Sequence, residues 1–207
     1  MNNALTMKDH WYWRPGWAVG RRFYTWHLTF ADSPDLHRLA ADYRKALADA
    51  PGLDLIPDKW LHLTMQGVGF IDEVEATDVD TILAEARRRL AAIAPFDLVF
   101  TRPIVTPEAV QWAVDPAGPN AARGAIRDAI GAVWPQVPES ADGFKAHVSI
   151  AYSNSDGPAT PIETALDRVQ AEPATVRVSS AELIVLHRDN RMYEWTTHAR
   201  AELGVER

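Results

Sequence analysis

Two pentapeptides constrain this chain more than any other feature, Leu61-His62-Leu63-Thr64-Met65 and Ala146-His147-Val148-Ser149-Ile150. Both read apolar, His, apolar, hydroxyl, apolar. A strand sends successive side chains to opposite faces, so this alternation demands a sheet with one face in a core and the other turned to something polar. On the first strand His62, Thr64 and Gln66 should share the polar face, opposite Leu61, Leu63 and Met65. On the second, Lys145, His147 and Ser149 should share it, opposite Val148 and Ile150. Tyr152 alternates to the core side of its strand unless the strand end re-aims it.

Two such strands facing each other would enclose a cleft with two imidazoles and two hydroxyls. That set suits phosphodiester chemistry. A neutral imidazole takes a proton from an attacking hydroxyl or water, and a protonated one gives a proton to the leaving oxygen. Histidine fits both roles because its unperturbed pKa is ~6.5. Hydroxyls at Thr64 and Ser149 would donate hydrogen bonds to non-bridging phosphate oxygens, holding the phosphorus in line and stabilising charge that grows in the transition state. No metal and no cofactor is needed. Lys145, Gln66, His27 and Tyr152 are further candidates for substrate contact. The tripeptide alone does not identify the pair, because Trp26-His27-Leu28-Thr29-Phe30 is a third copy and any single copy is more simply a chance polar pair on a strand.

The rest of the chain sets these strands in an alternating pattern. A strand is expected over 22–30, followed by a helix with Ser33 as cap, Pro34 at its first position and Leu36, Leu39, Ala40, Tyr43 and Leu47 on one face. Pro51 and Gly52 end it. The motif strand covers 60–66, a helix 78–93, strands 96–101 and 109–114, a helix 119–133, the second motif strand 144–152 and a short helix 161–170. Strands at 175–179 and 181–187, a turn at Asp189-Asn190 and a return at 192–198 close the chain. Without a Gly-rich dinucleotide signature, and with strands gathered at the end, this reads as α+β rather than a doubly wound parallel sheet. Residues 1–21, with Trp11, Tyr12, Trp13, Arg14, Trp17 and Arg21, form an aromatic and basic arm that Pro15 and Gly16 keep from being a regular element.

Charge and composition bound the partners. The formal net charge is −7 over 207 residues, which argues against a protein that grips long duplex nucleic acid through its phosphates. A short end, a nucleotide or a local basic patch suits it better. The eight tryptophans are expected mainly in packing, although one could stack a base. There is no cysteine, which excludes thiolate chemistry and cysteine zinc sites. No apolar run reaches membrane-spanning length and residues 1–22 lack a signal-peptide core, so with no cysteine present a cytoplasmic location is expected. A monomer is expected as well. His10, His37, His187 and His198 read as incidental, Arg87-Arg88-Arg89 as a solvated helix face, and no histidine spacing suggests a metal site.

From Arg22 to about residue 200 the chain resembles the 2H phosphoesterase superfamily, and within it the 2′-5′ RNA ligase / RNA 2′,3′-cyclic phosphodiesterase group. Arg22 to Phe30 with Ser33-Pro34 is similar to the opening strand and helix, and Leu61 to Met65 running on to Gly69, Phe70 and Ile71 to the first motif. Ala109 to Val114 with Trp112 is similar to the strand between motifs, Phe144 to Ile150 to the second motif, and Glu182 to Leu186 with Arg191 to Thr196 to the closing hairpin. The resemblance implies that His62 and His147 are the catalytic pair, with Thr64 and Ser149 as their phosphate-binding partners, and that His27 lies on a strand where no histidine is required. It also implies a fold of two pseudo-symmetric lobes with antiparallel sheets facing a central groove and helices outside, over a single bilobal domain at 22–207. The implied reaction opens 2′,3′-cyclic phosphate on RNA ends or small nucleotides, and its reverse is a ligation. Another small cyclic phosphate, a cyclic oligonucleotide, or non-catalytic binding of an RNA end or nucleotide are the alternatives. The chain departs from the pattern at Ala146, often proline in relatives, and in the arm, which has no counterpart.

Overall fold

The computed structural model describes residues 5–204; the first four residues of the expected arm and the last three of the expected bilobal domain lie outside the described residues. The first half of the chain holds β1 (Thr6–Met7), β2 (Phe23–Thr29), α1 (Pro34–Leu47), β3 (Leu53–Leu55), β4 (His62–Phe70), α2 (Ala76–Leu90), β5 (Phe96–Phe100) and β6 (Ile104–Val105). The second half holds β7 (Ala109–Ala113), α3 (Ala117–Gly131), β8 (His147–Ser153), β9 (Gly157–Pro158), α4 (Thr160–Asp167), β10 (Ala174–Val178), β11 (Ser180–His187) and β12 (Glu194–Glu202).

The order contains a repeat. In each half a strand leads through a helix to the motif strand, which leads through a second helix to a short outer strand: β2, α1, β4, α2, β5 and β7, α3, β8, α4, β10. Within each half the first strand pairs antiparallel with the motif strand, and the two outer strands, β5 and β10, pair with each other. The two sheets have the order β12-β11-β2-β4 and β3-β8-β7-β6, and every pairing is antiparallel. The helices are exchanged between halves: α1 packs on β8 and β10, while α3 packs on β4 and α2. The fold is therefore α+β, as the alternation of elements predicts.

The helical faces read from the sequence are the buried ones. Leu36, Leu39, Ala40, Tyr43 and Leu47 face inward on α1, and Val79, Ile82, Leu83, Ala86 and Leu90 on α2. Asp35 in the first turn of α1 and Arg44 and Lys45 in its last turn complement the helix dipole. Gly52, at φ 73°, makes the turn from α1 into β3, a conformation costly for any other residue type. Arg88 and Arg89 pair with Glu85 on the outer surface of α2, the solvated face expected of them.

On the motif strands Leu61, Leu63, Met65, Val148 and Ile150 are all buried. Each such side chain contributes roughly 1.5–3 kcal/mol by leaving water. A one-residue slip of either strand would turn this set into the cleft, which fixes the register. The core side of the alternation is thus what aims the polar side.

Several boundaries differ from the sequence reading. The first motif strand starts at His62 because residues 58–60 form a turn of 3-10 helix, and it runs to Phe70 rather than stopping at Gln66. The second starts at His147, not at residue 144. The pairs β1–β9, β3–β8 and β6–β7 are additional; ladders of two or three residues are too short to show a period. The arm is thus not wholly irregular, since Thr6 and Met7 pair with Pro158 and Gly157.

Candidate active site

β4 and β8 bring the two motifs to the walls of one cavity of about 480 Å³, within the size range of small-ligand sites. His62, Thr64, His147 and Ser149 all line it, together with His27 and Thr25 from β2 and Ala109 and Gln111 from β7.

The two imidazoles are held alike. Nδ1 of His62 lies 2.8 Å from the carbonyl oxygen of Trp60, and Nδ1 of His147 lies 2.7 Å from that of Lys145. A carbonyl only accepts, so in both rings Nδ1 carries the proton and donates it. Each ring is pinned by the backbone two residues upstream, and Nε2 is the nitrogen left to exchange a proton with a group in the cavity.

Their surroundings differ. His62 is buried, stacked at 4.5 Å and 4° on His27, with the rings of Trp195 and Tyr193 set T-shaped to it at centre-to-centre distances of 5.3 and 5.9 Å. Burial, with a smaller push from His147, lowers its pKa to about 4 against the upward pull of the Trp60 carbonyl. His62 is therefore neutral at pH 7. His27 is fully buried; burial and the neighbouring His62 hold its pKa well below the usual range. Its Nε2 lies 3.3 Å from Thr64 Oγ1, within hydrogen-bond reach, so it orients the motif hydroxyl and walls the motif imidazole. His147 is half-buried.

Two candidates sit on other faces than strand alternation implies, and β-bulges are the reason. Along β4, Thr64 pairs with His27 but Gln66 pairs with Trp26, so Met65 is an extra residue. One extra residue flips every side chain beyond it. Gln66 consequently points away from the cleft and is fully buried, donating to the Pro138 carbonyl at 2.6 Å and accepting from Arg127 at 2.7 Å. It is not a substrate contact in this arrangement. The same device acts in reverse on β8. Ser149 pairs with Gln111 and Ala151 with Val110, so Ile150 is the extra residue. Tyr152 is thereby turned from the core side into the cavity, beside Ser149, whose side chain it engages. Lys145 precedes the strand, is exposed and does not line the cavity; only its carbonyl serves the site.

The arm supplies residues that sequence reasoning missed. His10, read as incidental, lines the cavity with Arg14 and Trp17. Its ring stacks on Tyr152 at 4.3 Å, Nδ1 donates to Glu108 at 2.9 Å, and Nε2 lies 3.0 Å from the Tyr193 hydroxyl. Burial first, then the charges of Arg14 and Arg188, lower its pKa to about 3, so its bond to Glu108 is that of a neutral imidazole and not an ion pair. Arg188, at the end of β11, and Tyr193, in the loop before β12, complete this end of the cavity. For the arm's residues the one sequence signal is its aromatic and basic composition; Arg188 and Tyr193 lie outside the arm. His187 lies near Asp189 and Glu194, His37 Nε2 is bonded to the Phe30 carbonyl, and His198 packs on Tyr24; none of these three lines the cavity. Among the described residues no group of three or more His, Cys, Asp or Glu is placed to hold a metal ion, and no helix is long and apolar enough to cross a membrane.

The sequence profile of the 2′-5′ RNA ligase superfamily matches residues 32–190. The chain belongs to this superfamily, the 2H phosphoesterases. No curated protein matches it. Among solved structures, TT0787 of Thermus thermophilus superposes with a TM-score of 0.68 at 17% identity, covering 90% of this chain and 100% of that one. A structure described as a phosphoesterase gives 0.65 at 16%, covering 89% and 99%. LigT of E. coli, complexed with 3′-AMP, gives 0.64 at 16%, covering 88% and 98%. At such identities the likeness is one of fold: the chain is a member of the 2′-5′ RNA ligase superfamily with a LigT-like 2H architecture. The profile match begins after the arm.

Proposed function

We propose that this protein is a metal-independent 2H phosphodiesterase that opens 2′,3′-cyclic phosphate on an RNA end or a small nucleotide. The observation that carries the reading is the matched pair of imidazoles, His62 and His147, each with Nδ1 fixed by a backbone carbonyl and each on a wall of the same cavity. Two nitrogens preset as proton carriers on either side of one space suit an in-line displacement at phosphorus.

His62 is neutral and desolvated, which suits it to take the proton of the attacking water. The water oxygen bonds to phosphorus, the ring bond from phosphorus to one ribose oxygen breaks, and His147 delivers a proton to that oxygen. Thr64 and Ser149 donate to the non-bridging oxygens as charge builds there. With a 5′-hydroxyl in place of water as the nucleophile, the same groups in the same roles join two ends; cleavage of that linkage is the reverse, and there the two histidines exchange roles. LigT has been solved with 3′-AMP, a ribose phosphomonoester of the kind ring opening produces, which supports a nucleotide substrate for this fold.

The test is turnover by the purified protein, with chelator present, of 2′,3′-cyclic nucleotides, cyclic-phosphate-ended RNA and 2′-5′-linked oligonucleotides. Ring opening that persists in chelator and is lost in His62→Ala is the expected result. Tight nucleotide binding without turnover of any of these would replace the enzyme reading with that of a binding protein.

A further inference from the structure

One cation of the cavity has no role in the chemistry above. Arg188 is buried, at 4% exposure, and lines the cavity. Its Nη2 donates to the His10 carbonyl at 3.1 Å and its Nη1 reaches the Tyr12 carbonyl at 3.5 Å, both in the arm, while Nε has no partner among the described residues. The adjacent carboxylate, Asp189, is turned to Arg22 and the Gly20 amide instead. The guanidinium lies 5.3 to 5.8 Å from the ring centres of Trp11, Trp17 and Tyr193, so rings and carbonyls surround its charge and no carboxylate among the described residues pairs with it. A buried charge without a counter-charge is costly, and an anion delivered by a ligand relieves that cost.

Arg14 adds to it. Arg14 is partly exposed at the same end of the cavity and shares the Glu108 carboxylate with His10, which is neutral. Of the two carboxylates that line the cavity, Glu108 is taken up by Arg14 and His10 and Glu139 accepts from the Gly67 amide at the mouth, which leaves Arg188 without a counter-charge at this end. Tyr193 stands between this end and the reacting end, its ring 5.3 Å from Arg188 and 5.9 Å from the His62 ring.

We infer that the N-terminal arm and Arg188 form a second anion subsite of the cleft, which takes a further phosphate of the same substrate. The inference rests on the phosphoesterase reading for the position of the reacting phosphate. The further phosphate is either a 5′-monoester on a mononucleotide or the diester to the preceding nucleotide of an RNA end.

Binding distinguishes these without needing turnover. Calorimetry would compare adenosine 2′-monophosphate with adenosine 2′,5′-bisphosphate and with a diadenosine carrying a terminal 2′-phosphate. One or both two-phosphate ligands should bind at least ~10-fold more tightly, from charge-assisted hydrogen bonds. The tighter of the two names the source. The preference should vanish in Arg188→Gln and return in part in Arg188→Lys. Should Arg188→Gln fail to fold, Arg14→Gln gives up the Glu108 pair and a contact with the half-exposed Tyr12 ring, and should still reduce the preference. Equal affinity for all three ligands in the parent, or a preference unchanged in a folded Arg188→Gln or in Arg14→Gln, would overturn the subsite. Ring opening measured alongside separates the two readings: preference without turnover sinks the phosphodiesterase, and turnover without preference sinks the subsite.

Discussion

The two motif strands do the same thing to their histidines and opposite things to the space around them. On β4 and on β8 the ring is pinned through Nδ1 by the carbonyl two residues before it. On β4, however, the ring is boxed in by His27, Trp195 and Tyr193, and its hydroxyl partner Thr64 is open to the cleft. On β8 the ring is the more open one, and its partner Ser149 is buried against Tyr152. A repeat of sequence thus gives a repeat of orientation without a repeat of environment. Environment, not orientation, is what sets an acid apart from a base.

The largest expected effect tests what the strands share. His62→Ala and His147→Ala should each lower turnover of a cyclic nucleotide by at least ~100-fold. What differs should appear on rescue: added imidazole should restore more activity to His147→Ala, whose cleft is open, than to His62→Ala, whose box admits a free ring less readily. Equal rescue would show that the burial difference does not reach the chemistry.

The hydroxyls come next. Thr64→Val and Ser149→Ala should each cost ~10-fold or more in kcat/KM, the worth of one hydrogen bond to a charged oxygen. Tyr152→Phe should reproduce part of the Ser149 effect, and it has no counterpart on β4.

The pH profile sharpens the comparison further. His62 must be neutral to act as base, and its pKa is about 4. The rate should therefore hold as pH falls through 6 and 5, and decline as pH passes through about 4. His27→Ala opens the wall of the box to water. Weaker desolvation then moves the acid limb upward, toward the unperturbed value of ~6.5, with kcat changed by less than ~10-fold. An unmoved limb would mean that some group other than His62 is the base.

How legible each part was follows from how local its cause is. The faces of α1 and α2 and the pairs His62 with Thr64 and His147 with Ser149 depend on the period of one element, so the sequence displays them. Gln66 and Tyr152 lie beyond a bulge, and a bulge is decided by what the partner strand, β2 or β7, offers opposite. Nothing within a single strand marks it. The arm's share of the cleft is less legible still: Arg188 reaches the His10 carbonyl across 178 positions of sequence. Lone residues such as His10 and Arg188 have no periodicity to announce that meeting.

The smallest effect on activity is expected at Gln66, where the sequence pattern and the bulge make opposing statements. If the strand alternated without interruption, Gln66 would join His62 and Thr64 in the cleft, and its removal would raise KM. In the bulged register its side chain is buried beneath the strand, bridging Arg127 of α3 and the Pro138 carbonyl. Gln66→Met keeps the volume and removes both of these bonds, together with the one its amide gives the Gly67 carbonyl at 3.1 Å. It should cost about 1–3 kcal/mol of stability, because the Pro138 carbonyl and Arg127 lose a buried partner. Arg127 keeps contacts to the Pro138 and Glu139 carbonyls, which limits the loss. The same segment carries Glu139, which accepts from the Gly67 amide at 3.2 Å and lies where a Cβ on Gly67 would stand. The bridge therefore holds the Pro138–Glu139 loop at the mouth of the cavity, while kcat/KM at a temperature where the variant is folded should change by less than ~2-fold, the behaviour of a residue outside the site. A lower melting temperature with unchanged kinetics fits the bulge; a raised KM with unchanged stability would put Gln66 back in the cleft and remove the bulge at Met65.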